Sequence, residues 1–64
     1  MKNGDTVIVI SDCDDQNAQG VIAGEGKIEI GRRVRVFKIV RFDGRPDGAF
    51  EEWELQIVEP RNVP

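Results

Sequence analysis

VRVFKIVRF, residues 34–42, follows Arg33 directly and alternates apolar and charged side chains along most of its length. Successive side chains of a strand point to opposite faces. As a strand, this stretch places Val34, Val36, Val40 and Phe42 on one face, interrupted by Lys38, and Arg33, Arg35 and Arg41 on the other with Phe37 and Ile39. A long, bent strand with one apolar face is what a small curved sheet needs. A bulge near Phe37 or Lys38 is expected to exchange the faces midway, bringing Phe37 and Ile39 into the core and turning Lys38 outward.

The neighbouring segments extend the same reading. TVIVI at 6–10 is a β-branched run after a Gly-Asp turn, GVIAG at 20–24 is another, KIEI at 27–30 alternates, and LQIV at 55–58 closes the series. No window of eleven or more residues holds helical apolar spacing without an intervening glycine. The seven glycines fall at or beside the ends of these segments, where reversal is needed. SDCDDQNAQ at 11–19 is a polar connection, and GRR and DGRPDG are tight turns, the second with Pro46 preset for a turn position and Gly48 able to take a positive φ. In FEEWEL, 50–55, Phe50 and Trp53 stand three apart, which suits one 3₁₀ turn entering the last strand. The sequence therefore predicts an all-β domain over 1–59, a small barrel of about five short antiparallel strands with a single 3₁₀ turn before the last. Residues 60–64, with two prolines in EPRNVP, are expected to form a frayed tail.

Composition narrows the function classes. A chain of 64 residues forms one domain of modest stability. With one cysteine and no histidine it can build neither an internal disulfide nor a thiolate and imidazole zinc site, and no cofactor is implied. Cys13 stands among acidic and amide residues rather than the cationic surroundings that activate a thiol. There is no histidine base and no phosphate-binding glycine loop, and a barrel this small has little room for a catalytic pocket, so a non-enzymatic role is expected. No apolar run is long enough for a signal peptide or a membrane span, which makes a cytoplasmic, membrane-free protein the expectation.

Gly4, Asp5, Val7 and Val9, then Gly20, Val21 and Ile22, then Val40, Arg41, Phe42 and Asp43, and finally Phe50, Glu54 and Leu55 form a spaced pattern over residues 4–59. This pattern resembles the SH3-like small barrels. It is most similar to the electron-transport accessory barrels, of the photosystem I reaction-centre subunit IV type, and more loosely to KOW and Tudor domains. The resemblance implies a non-catalytic binding or docking module, with the first loop and the turn before the last strand bordering the recognition surface. The chain departs from KOW domains in its nine-residue acidic and amide loop. With three Phe, one Trp and no Tyr, it also lacks rings for a Tudor-type cage.

The candidate binding residues are Arg33, Arg35 and Arg41, with Trp53 and the loop residues Asp14 and Asp15. The arginines support two readings. Pairing across the sheet would set Glu29 against Arg33 or Arg35. Docking would set the row against an acidic protein surface or, alternatively, nucleic acid. A formal net charge of −3 gives the long-range field the wrong sign for phosphates, which favours the protein partner. Asp12, Asp14, Asp15 and Asn17 fail the EF-hand pattern, because the closing glutamate position holds Ala23. Trp53 either closes the end of the core or stands half exposed as a recognition residue.

Overall fold

The computed structural model describes residues 1–58, so the expected tail at 60–64 lies outside the described residues. The chain is all-β, with β1 Thr6–Val9, β2 Gln19–Ile30, β3 Arg33–Phe42, β4 Gly48–Phe50, a 3₁₀ turn Glu52–Glu54 and β5 Leu55–Ile57. One antiparallel sheet holds the strands in the order β4-β3-β2-β1-β5. Among the described residues no helix is long and apolar enough to cross a membrane.

Every strand gives at least one side chain to a single core. Val7, Val9, Ile22, Val40, Phe42, Phe50 and Leu55 are buried, and Met1 and Ala18 pack against them. Phe42 and Phe50 meet edge to face, with ring centroids 6.0 Å apart at 86°, the arrangement that sets a positive ring edge against a negative face. Gly20, opposite Phe42, leaves room for this packing: a Cβ there would lie 2.7 Å from the Arg41 carbonyl oxygen and 2.6 Å from Val40 Cγ1.

Strand boundaries differ from the sequence reading in two places. GVIAG and KIEI belong to one twelve-residue strand, because Gly24 and Gly26 sit in the ladder opposite Ile39 and Phe37 instead of ending it. GAF at 48–50 is a strand that the sequence reading left inside a turn and the FEEWEL segment. It is held by pairing Gly48 with Val40 and Phe50 with Lys38. The positive φ of that connection belongs to Gly44 (78°), not to Gly48.

The bulge also lies elsewhere. The register shifts between Ile22 and Gly24, so the extra residue, Ala23, is on β2, and β3 keeps strict alternation. Phe37 and Ile39 consequently stay on the outer face, half-buried, and Lys38 remains on the core face. Beyond the bulge the β2–β3 hairpin runs past β1 and β4 as a two-stranded arm, ending in the two-residue turn Gly31–Arg32 with Gly31 at φ 62°. A positive φ at the first turn residue alone fits a type II′ reversal, whose twist matches the strands it joins. The arm stretches the molecule to 49 × 24 × 18 Å.

Candidate docking surface

The outer face of β3 carries Arg33, Arg35, Phe37, Ile39 and Arg41, and the ladder fixes what stands beside them. Arg33 is opposite Ile30, Arg35 opposite Ile28 and Arg41 opposite Val21. The expected alignment of Glu29 with Arg33 or Arg35 does not occur. A two-residue turn pairs each odd-numbered residue with an even-numbered one, so Glu29 meets Val34 on the other face.

Arg35 finds its carboxylate on another element. Its guanidinium is 3.6 Å from Glu51 Oε1, and the second oxygen of Glu51 accepts a hydrogen bond from Trp53 Nε1. The backbone N–H of Glu51 donates to Glu54 Oε2 at 2.8 Å, which fixes the start of the 3₁₀ turn. Of the two places open to Trp53, the structure gives the exposed one: the side chain is 68% exposed, while Phe50 and Leu55 fill the core beside it. A ring presented to solvent but oriented by a carboxylate forms, with Arg35, a small preorganised patch. Glu51, which joins them, is one of five carboxylates, with Glu29, Asp43, Glu52 and Glu54, that the sequence sets beside the arginine row, and residue type alone does not distinguish it from the other four. Its only signal there is its position two residues before Trp53 in FEEWEL.

The other candidates lie apart from this patch. Arg41 is six positions along β3 from Arg35, about 20 Å at strand rise. It borders an open depression of ≈ 440 Å³ shared with Thr6, Val21 and Asp43. Asp15 is tied to the turn after β3 by a 3.1 Å ion pair with Arg45, whose guanidinium lies 5.9 Å from the centre of the Phe42 ring. Asp14 is exposed on the same loop, which is folded by turns from Cys13 to Gln16 and from Asp15 to Ala18 and by Asn17 at φ 70°. The single surface expected from the sequence therefore separates into an Arg33, Arg35 and Trp53 region and an Arg41 region.

Lys38, on the core face, has its ammonium 2.8 Å from Glu25 Oε1, and its stem is mostly covered. The bulge at Ala23 makes this pair, because it moves Glu25 opposite Lys38. The hydrogen bond from Lys38, reinforced by its charge, holds the Glu25 carboxyl below its ordinary value of 4.5. The same hydrogen bond raises Lys38 above 10.5. A carboxyl lowered by folding adds stability above its unfolded pKa and loses it as pH falls through the lower folded value. The wild type is therefore expected to lose a component of stability on acidification below pH 4.5 that Glu25→Gln lacks. Urea midpoints around pH 6 and around pH 3 measure it. Equal drops in both proteins would show that the pair contributes nothing.

The chain matches no known protein family, no curated protein and no solved structure.

Proposed function

We propose that this chain is a non-catalytic docking module that binds another protein through the patch formed by Trp53, Arg35 and Arg33. The observation that supports this most directly is the exposed Trp53 oriented by Glu51, which also engages Arg35. Tryptophan and arginine are the side chains most often responsible for binding energy at protein interfaces, and orienting them beforehand lowers the entropy lost on association. An acidic partner surface suits the row, since Arg33 has no ion-pair partner among the described residues and Arg35 has only the long 3.6 Å contact with Glu51 while its own side chain stays largely exposed. The resemblance to accessory barrels points the same way, to a subunit attached to a larger complex.

Immobilised protein, exposed to nuclease-treated lysate of its native host at low and moderate salt, tests the reading. Trp53→Ala is expected to reduce retention of the specific partner at least tenfold, the loss that corresponds to about 1.4 kcal/mol or more at a buried aromatic anchor. The thermal midpoint should stay close to wild type, because an exposed ring contributes little to folding. Arg35→Gln should weaken the same partner. Retention that disappears with nuclease, or falls log-linearly with salt irrespective of Trp53, would instead assign the arginine row to nucleic acid.

A further inference from the structure

The arm has apolar side chains on both faces and covers neither. Ile28 and Ile30 are 50% and 64% exposed on the face shared with Arg35 and Arg33, while Val34 and Val36 are 56% and 40% exposed on the opposite face. The bulge at Ala23 is the cause. Without the extra residue, the isoleucines of β2 and the valines of β3 would lie on one common face, and that face would continue the core. With it, the arm cannot serve as an extension of the core, and among the described residues its two edges beyond β1 and β4 have no neighbouring strand.

The β2 edge is patterned to receive itself. Ile22 is still engaged on that side, donating its N–H to Asp5 O and accepting from Gly4 N, so the open edge starts at Gly24 and ends with the turn at Arg32. Ile28 is the midpoint of residues 24–32. A hairpin closed by a two-residue turn makes Ile30 and Arg33 a hydrogen-bonded pair, and alternation then directs the N–H and C=O groups of Glu25, Lys27 and Glu29 outward. Antiparallel pairing with a second copy about Ile28 places Lys27 opposite Glu29 of that copy, and Glu29 opposite its Lys27. Both residues are ones whose backbone groups face outward. Neither Lys27 nor Glu29 makes an ion pair among the described residues.

We infer that the chain forms a symmetric dimer through antiparallel pairing of its β2 edges, centred on Ile28. In this register Ile28 meets Ile28 of the second copy, Ile30 lies over its Gly26, and four isoleucines form one strip bordered by Arg33 and Arg35 of both copies. An edge lysine normally discourages such pairing. Here the lysine is matched by a glutamate two residues on, so the two-fold axis converts it into two opposed pairs. Other registers are worse. Centring on Lys27 sets like charges together, and centring on Gly26 drives the turn into the second copy's occupied Ile22 edge. Pairing through the β3 edge about Arg35 also opposes two like charges. The inference does not depend on the docking role proposed above, which uses the Trp53 patch.

Sedimentation equilibrium of the full chain across a concentration series tests the dimer, with circular dichroism to establish that each variant is folded. Wild type is expected to self-associate. Lys27→Glu and Glu29→Lys, each replacing two attractive pairs by two repulsive ones, should raise the dimer dissociation constant about tenfold or more. The double variant Lys27→Glu with Glu29→Lys restores complementarity and should return association toward wild type. A wild type that stays monomeric up to millimolar concentration overturns the inference. So does association unchanged by either single reversal, or a double variant weaker than both singles.

Discussion

Phe42→Ala is expected to remove a large share of the chain's stability. Truncating a buried phenylalanine costs about 3–5 kcal/mol, and a chain of 64 residues is stable by only about 3–10 kcal/mol at the usual stability per residue. Phe42 is 6% exposed, forms the edge-to-face pair with Phe50, and underlies the Arg45 guanidinium. Its loss opens a cavity in a core of seven buried residues contributed by five strands, so little surrounding structure can collapse into it. Far-UV circular dichroism with urea titration measures the effect. Fluorescence of Trp53 is a poor reporter, because that ring is already in solvent. A urea midpoint within error of wild type would show that Phe42 is not a core residue.

Gly20→Ala is the second severe substitution. The added methyl group would meet Val40 Cγ1 at 2.6 Å and the Arg41 carbonyl oxygen at 2.7 Å. The first neighbour is a buried side chain and the second is backbone, so relief requires the β2–β3 ladder to separate where the core is tightest. Overpacking of this kind costs about 1–3 kcal/mol, and the backbone contact places Gly20→Ala toward the upper end. Gly26→Ala is the control. It lies in the same strand, and a Cβ there meets nothing within 4 Å. That substitution should be neutral or slightly stabilising, through the reduced freedom of the unfolded chain. Equal effects of the two would show that close packing at Gly20 does not limit what that position can hold.

The contrast between these glycines also marks where the sequence could be read and where it could not. Alternation in 34–42 identified β3 and put Val40 and Phe42 on the same, core-facing side, because the period of two is written in the side chains themselves. The 3₁₀ turn expected from the spacing of Phe50 and Trp53 forms at Glu52–Glu54, although Phe50 itself belongs to β4 and only Trp53 lies in the turn. Gly24 and Gly26 were read as breaks, since glycine more often ends a strand than continues one. In the structure they pair with Ile39 and Phe37 inside one continuous ladder, which neither glycine interrupts. GAF is too short to show a period and is a strand only by virtue of β3 beside it. The displaced bulge had the widest effect, since it decides whether the arm continues the core or departs from it. A strand of twelve residues in so short a chain exceeds what one small core can cover, and that excess was the available signal.

The candidate site was legible residue by residue but not in its grouping. Arg33, Arg35 and Trp53 were recognisable from type and alternation, and the fold brings the last two to one carboxylate. Arg41 shares their strand face yet stands about 20 Å from Arg35. Strand parity reveals a common face, whereas distance along the strand decides whether two residues can touch one ligand.

The arm gives the molecule two tiers of resistance to opening. Residues 24–37 contribute no buried side chain to the core, so their order rests on the ladder between two strands, on the reversal at Gly31–Arg32 and on the ion pairs Glu25–Lys38 and Arg35–Glu51. Such a segment can separate and re-form while the core strands remain paired, at a free energy well below that of unfolding the whole chain. Backbone amides in the arm therefore exchange with solvent by a local route, and those of β1, around Val7 and Val9, by the global one. Any ligand that bridges the arm closes the local route, and slower amide exchange there reports its presence even where the core strands are unchanged.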